Sequence, residues 1–202
     1  MDRQIRQQEY KGVEQGPIRP PSEADSLLIR VTRNCPWNRC TFCPVYKGKQ
    51  FSRRPVNHIL QDIKTIHDHV QQILPLKNKL QDMDQGLLFK QLDIDPAQET
   101  AFAAAWCFVK SGMKSVFLQD GNSLIIKPDD LITILQYLKT CFPQIERITS
   151  YARAKTVSRI KNKDLDTMAE NGLNRIHIGM ESGSDQVLEK VKKGCNSLVH
   201  VT

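Results

Sequence analysis

With 202 residues, 40% of them hydrophobic and 25% charged, the chain is long enough for one sizeable domain with a real core and has an ordinary globular composition. No apolar run reaches the roughly 18 residues of a membrane span, and the polar start MDRQIRQQEYKGVEQG lacks the apolar core of a secretory signal. The net charge of +7 is compatible with a nucleic-acid partner, but the basic residues are scattered, with short clusters at Arg53-Arg54 and at Lys190, Lys192 and Lys193, so a solvated basic surface is the plainer reading.

Residues 1–25 are polar, carry Gly16, Pro17, Pro20 and Pro21, and read as an extended arm. SLLIRVT (Ser26 to Thr32) is a short apolar run that predicts a first strand. From Pro55 to about Leu74, Ile59, Ile63, Ile66, Val70 and Ile73 recur at helical spacing behind a first-turn proline. Residues 75–95 lack a clean period and form a connector with room for a short helix. Pro96 opens an alanine-rich helix through Lys110, stopped near Gly112. Strands then alternate with helices: Ser115 to Gln119, Pro128 to Thr140, Arg147 to Tyr151, about Asn162 to Asn171, Arg175 to Met180, and about Asp185 to Lys193. Such alternation predicts parallel βαβ units with right-handed crossovers. His177 alternates with Ile176 and Ile178 and is expected on the opposite face of its strand. Residues 26–194 thus form one α/β core of four β–α units, and 195–202 an irregular tail. A four-stranded sheet ending in such a tail predicts a fragment of a longer barrel.

CPWNRCTFC places Cys35, Cys40 and Cys43 on the loop after the first strand. A chain with no export signal is expected in the cytoplasm, where thiols stay reduced and clustered cysteines favour metals over disulfides. Three thiolates can hold an iron–sulfur cluster and leave one iron without a protein ligand. The spacing C-x4-C-x2-C also occurs in plant-type [2Fe–2S] ferredoxins, but these need a fourth cysteine, and Cys107 lies far off in a predicted helix. A zinc site from Cys40, Cys43 and His58 or His67 is the other rival, although no second C-x2-C or H-x3-H is present. Cys107, Cys141 and Cys195 are assigned no role.

Polar residues also follow the later strands: Asp120, Gly121 and Asn122, then Ser150 to Arg153, then Glu181, Ser182 and Gly183. In parallel α/β folds the carboxyl ends of strands gather functional groups, so these would share one pocket with the cysteines. Each has a plainer role as well. Asp120-Gly121 is a turn signal, Arg153 a surface arginine, and Glu181 a helix-start anion.

The cysteine spacing after a first strand, with Phe42 just before the last cysteine, resembles the radical S-adenosylmethionine (SAM) superfamily, whose hallmark is C-x3-C-x2-C. Here the first gap is one residue longer. Asp120-Gly121-Asn122 stands where that family has a glycine-rich motif after the second strand, and GMESGSDQVLEKVKKG is similar to a stretch after the fourth. The resemblance covers about residues 26–194 and implies a partial parallel (β/α) barrel. It also implies a [4Fe–4S] cluster on Cys35, Cys40 and Cys43. S-adenosyl-L-methionine would bind among Phe42, Asp120, Gly121, Asn122, Ser150, Arg153 and Glu181. The activity implied is reductive cleavage of SAM to a 5′-deoxyadenosyl radical that abstracts hydrogen from an unknown substrate, fed by an electron donor such as a flavodoxin or ferredoxin. A zinc-stabilised binding module and an inactive fragment of such an enzyme are the alternatives.

Overall fold

Four strands, β1 (Leu27–Arg30), β4 (Ser115–Gln119), β5 (Arg147–Ala152) and β6 (Leu173–Ile178), pair in parallel in the order β1–β4–β5–β6. This architecture comes from a computed structural model that describes residues 9–201. The sequence-predicted arm and tail are described only within those limits, so residues 1–8 and 202 lie outside the described residues. Between the sheet strands run α1 (Val56–Ile73), α2 (Gln85–Gln91), α3 (Glu99–Lys110), α4 (Pro128–Cys141), α5 (Ala154–Val157), α6 (Asn162–Glu170) and, after β6, α7 (Asp185–Lys190).

The expected α/β alternation is therefore present, with shifts at several ends. The first strand stops at Arg30 because Thr32–Arg33, β2, turns away to pair antiparallel with Ser52–Arg53, β3. Pro96–Gln98 is a separate 3-10 turn, capped by Asp95, whose side chain accepts a hydrogen bond from the Ala97 amide. The last helix ends at Lys190 because Lys192 (φ 53°) and Gly194 (φ 76°) take left-handed backbone conformations that no helix continues.

Helices cover one face of the sheet. Ile59, Ile63, Ile66, Val70 and Ile73 of α1 are at most 1% exposed and pack with Phe102 and Phe108 of α3 and with Leu131, Ile134, Leu135 and Leu138 of α4. Each fully buried aliphatic side chain there is worth about 1.5–3 kcal/mol of transfer free energy. Residues paired across parallel strands point the same way, so Leu118, Ser150 and Ile176 lie on this covered face. Phe117, Thr149, Tyr151, Arg175 and His177 lie on the other, where Tyr151 meets Phe117 and His177 at ring distances of 5.1 and 5.7 Å. His177 thus faces away from Ile176. Among the described residues no helix is long and apolar enough to cross a membrane.

Candidate functional site

The short β2–β3 ladder closes the base of the loop that carries Cys35, Cys40 and Cys43. Two residues per strand cannot hold so long a loop, and the side chains around it make up the difference. Glu14 from the arm reaches three arginines at that base: Arg33 at 2.5 Å, Arg54 at 3.3 Å and Arg30 at 3.6 Å. Burial pushes the Glu14 carboxyl up, but the hydrogen bond from Arg33 and the charges of Arg54, Arg33 and Arg30 outweigh it and hold it below its usual range. Arg54 also makes a fully buried pair with Asp62 of α1, at 2.6 Å, which fixes the base to the helical layer.

The loop itself is fastened at two places. The first is Asp120, at the carboxyl end of β4 and 1% exposed. Its Oδ2 accepts from Arg30 Nη2 at 2.8 Å, from Arg30 Nε at 3.2 Å and from the Asn34 amide at 3.1 Å, while its Oδ1 accepts from the Tyr46 hydroxyl. Asn34 precedes the first cysteine and Tyr46 follows the last, so one carboxylate draws both limbs together. Burial, and then the bond to Asp120, push the Tyr46 hydroxyl far above the usual tyrosine range, so it remains a proton donor at any working pH. Gly121 belongs to this clasp, because a Cβ there would stand 3.1 Å from the Tyr46 ring. Asn34 (φ 66°) and Asn38 (φ 46°) turn the outgoing limb through left-handed conformations that asparagine tolerates. Their amides donate to the carbonyls of Gln50 (2.6 Å) and Lys49 (3.0 Å) on the returning limb.

The second fastening is the end of α7. The last carbonyls of a helix have no intrahelical partner. Here three successive ones just past α7 are taken from outside: Val191 O by the Thr41 amide at 3.0 Å, Lys192 O by Trp37 Nε1 at 2.7 Å, and Lys193 O by Arg153 Nη2 at 2.8 Å. The Trp37 ring lies against the Gly194 backbone, where any Cβ would collide with it, and the guanidinium groups of Arg153 and Arg39 lie 4.8 and 5.1 Å from its centroid. Neither Trp37 nor Tyr46 has a local sequence signal for this role, since the partners lie far along the chain.

Around the thiols sit Lys193 and Arg153. Burial pushes the Cys40 thiol up; Lys193 and Arg153 pull it down, and Cys35 and Cys43 add to the rise, so the three sulfurs feel one another. All three cysteines are half-buried. Phe42 is 47% exposed, with Lys193 Nζ 5.7 Å from its ring. Glu181 takes a left-handed conformation (φ 66°) and pairs with Lys193 at 2.8 Å.

Of the residues expected in one pocket, Phe42 is part of the cysteine loop, Asp120 and Gly121 clasp its limbs, and Arg153 and Glu181 meet it through Trp37 and Lys193. Asn122 is fully buried between the Arg153 amide (3.0 Å) and the Thr156 hydroxyl (2.9 Å), which sets the start of α5. Ser150 is fully buried on the helix-covered face, its hydroxyl donating to the Tyr151 carbonyl at 3.1 Å. Both oxygens of Asp120 are engaged within the protein.

Among the described residues no three His, Cys, Asp or Glu side chains gather around a point that one metal ion would occupy. A tetrahedral zinc draws all its thiolates onto a single centre at about 2.3 Å. A cubane binds each thiolate through a different iron. Three half-buried thiols lie on one loop, with Lys193 and Arg153 near Cys40, and thiolates are the donors that iron–sulfur clusters use.

No protein-family model matches the chain, and no curated protein does. Among solved structures, the cobalamin-dependent S-adenosylmethionine radical enzyme OxsB with aqua-cobalamin bound is similar over 86% of this chain, with a TM-score of 0.51 and 21% identity. OxsB with aqua-cobalamin and S-adenosylmethionine bound is similar over 87%, with a TM-score of 0.49 and 22% identity. The chain spans about a fifth of the length of these structures, 21% in each case. The likeness to the first of them is one of fold: this chain is built as a partial parallel barrel of the radical SAM type.

Proposed function

We propose that Cys35, Cys40 and Cys43 hold a [4Fe–4S] cluster and that the chain binds S-adenosylmethionine beside it, as the core of a radical SAM enzyme. The observation that carries this reading is the three-thiol loop, fastened to the carboxyl end of a parallel sheet by Asp120 and to the end of α7 by Trp37 and Thr41. When bound, such a cluster supplies the electron that cleaves SAM to methionine and a 5′-deoxyadenosyl radical, which then abstracts hydrogen from a substrate.

The chain's own residues position and bias this site. Arg30, Tyr46 and the Asn34 amide, joined through Asp120, hold the two limbs of the loop at a fixed span. Lys193 and Arg153 place positive charge beside Cys40 and partly offset the rise that burial gives its thiol. The exposed Phe42 ring offers an apolar face to an adenine, and Glu181, aimed by its left-handed backbone, offers a carboxylate to ribose hydroxyls. Asp120, Gly121, Asn122 and Ser150 act here as framework, because their polar atoms or their close packing are already used within the protein.

Anaerobic reconstitution with iron and sulfide tests the reading. The expected product contains about four irons and four sulfides per chain, absorbs broadly in the visible, bleaches with dithionite and forms 5′-deoxyadenosine from SAM. Cys35→Ala, Cys40→Ala and Cys43→Ala each abolish the colour. Stoichiometric zinc without that absorption makes the chain a zinc-stabilised binding module instead, and colour without SAM cleavage makes it a cluster-binding remnant.

A further inference from the structure

Residues 153–163, RAKTVSRIKNK, carry five arginines and lysines and no aspartate or glutamate. The segment follows β5 and runs through α5 to the start of α6. Four of its cations, Arg153, Lys155, Arg159 and Lys161, line a cavity of about 670 Å³ in which Asp164 is the single carboxylate. Apart from Thr156, the rest of the lining is apolar. Pro36 and Trp37 come from the cysteine loop, Leu124, Ile125 and Pro128 follow β4, and Ile160 precedes α6. The cavity thus lies among loops at the carboxyl ends of the strands, where parallel α/β folds seat their ligands. Its volume is that of a small-molecule site.

Arg153 is already used, donating to the Lys193 carbonyl at 2.8 Å and lying on the Trp37 ring. Lys155, Arg159 and Lys161 are exposed, and among the described residues no carboxylate pairs with them, Asp164 included. Helix stability does not account for Lys161, which stands at the start of α6, the end where a helix favours anions. One hydroxyl joins these cations. Thr156 Oγ1 accepts from Asn122 Nδ2 at 2.9 Å, which leaves its own proton to donate, and no acceptor takes it among the described residues. Asn122 is fully buried and also holds the Arg153 amide at 3.0 Å, so this turn is anchored. Set against Asp164, the three unpaired cations leave a surplus of two positive charges. A phosphate monoester carries about −1.5 to −2 at neutral pH and matches that surplus, whereas a single carboxylate supplies half of it. Arginine and lysine bind phosphate through charge-assisted hydrogen bonds. The apolar lining calls for an organic body on that phosphate, and a nucleic acid draws on a longer track of phosphate contacts than one cavity supplies.

We propose that this cavity binds a small organic phosphate, its phosphate held by Lys155, Arg159, Lys161 and the Thr156 hydroxyl and its apolar body against Leu124, Ile125 and Trp37. That this ligand is the substrate of the radical chemistry rests on the cluster-binding reading above. The cavity itself does not, since none of the three cysteines lines it. Trp37 links the two: its ring lines the cavity while its Nε1 fastens the cysteine loop to the end of α7, so a ligand there abuts that loop.

The test titrates phenyl phosphate into the full chain, before and after reconstitution, and follows tryptophan emission and calorimetry. Of the two tryptophans, Trp37 lines the cavity and Trp106 is buried on α3, so a change in emission reports the site. Phenyl phosphate is expected to bind at least about tenfold more tightly than inorganic phosphate or benzoate, and to weaken as salt rises from about 50 to about 500 mM. K155Q/R159Q/K161Q should raise its dissociation constant about tenfold or more. K77Q/K79Q/K110Q, which removes equal charge elsewhere, should leave it within about twofold, and both variants should unfold at the wild-type temperature. Equal binding by the cavity variant, an equal loss in the control variant, or inorganic phosphate or benzoate binding as tightly as phenyl phosphate overturns the site. So does displacement of phenyl phosphate by S-adenosylmethionine, which would make the cavity part of the cofactor's site. An oligothymidylate that binds at lower concentration and is lost in the cavity variant overturns it too. A chain that takes up no cluster yet binds phenyl phosphate here refutes the cluster reading and keeps the cavity. A reconstituted chain that binds none does the reverse, and a chain that does neither refutes both.

Discussion

Asp120 shows how a residue's chemistry and its position can point different ways. As sequence, an aspartate followed by glycine after a strand reads as a turn or as a ligand contact. In the fold both its oxygens are consumed by Arg30, Asn34 and Tyr46, and the same residue becomes the knot of the cysteine loop. Its three partners lie between 74 and 90 residues away, so no local pattern announces them. Breaking a buried pair by removing one charge costs about 3–5 kcal/mol. Asp120→Asn keeps the size and one acceptor, and is expected to cost about 2–4 kcal/mol in urea unfolding. It should also lower the iron retained after reconstitution. Tyr46→Phe leaves one buried carboxylate oxygen short of a donor and should cost about 1–3 kcal/mol.

Among the elements, legibility followed the length of the period. The five apolar positions of α1, the alanine-rich α3 and the strands at Ser115, Arg147 and Arg175 were readable because each repeats its signal over several residues. β2 and β3 have two residues each, and α5 has four, too few to show any period. The seam between the cysteine loop and α7 was equally hidden, because it joins backbone carbonyls to Trp37, Thr41 and Arg153. Gly194 tests it. At φ 76° alanine pays the left-handed penalty, about 1–2 kcal/mol, and its Cβ also meets the Trp37 ring. Gly48 has a similar φ of 69° with nothing within 4 Å. Gly194→Ala should therefore destabilise by about 1–3 kcal/mol more than Gly48→Ala, with a red-shifted tryptophan emission that Gly48→Ala does not share.

Across the whole molecule, carboxylates set the response to acid. Burial raises the Glu23 carboxyl, but the Ser26 hydroxyl at 2.5 Å and Arg147 at 3.3 Å help hold it below its usual range, as arginines do for Glu14. For both, the unfolded chain binds its proton first as pH falls. Their stabilisation is complete above the unfolded value near about 4.3 and is lost below it, through the depressed folded values. Burial raises Asp62 despite Arg54, so that group works with the opposite sign. The melting temperature should fall as pH drops from about 6 to about 3. Glu14→Gln and Glu23→Gln should each flatten the fall, and Asp62→Asn should steepen it.

The clasp at Asp120 also imposes a timetable. Cys35, Cys40 and Cys43 are translated long before residue 120, and the Asn34 amide waits for a partner 86 residues downstream. Until β4 has been made and has joined β1, only the two-residue β2–β3 ladder and the side-chain amides of Asn34 and Asn38 gather the two limbs of the loop. A nascent chain on the ribosome therefore carries three slack thiols through a large part of its synthesis, open to oxidation and to any passing metal. On the proposed cluster-binding reading, loading with iron belongs after that point, and those thiols are best shielded until the carboxylate arrives.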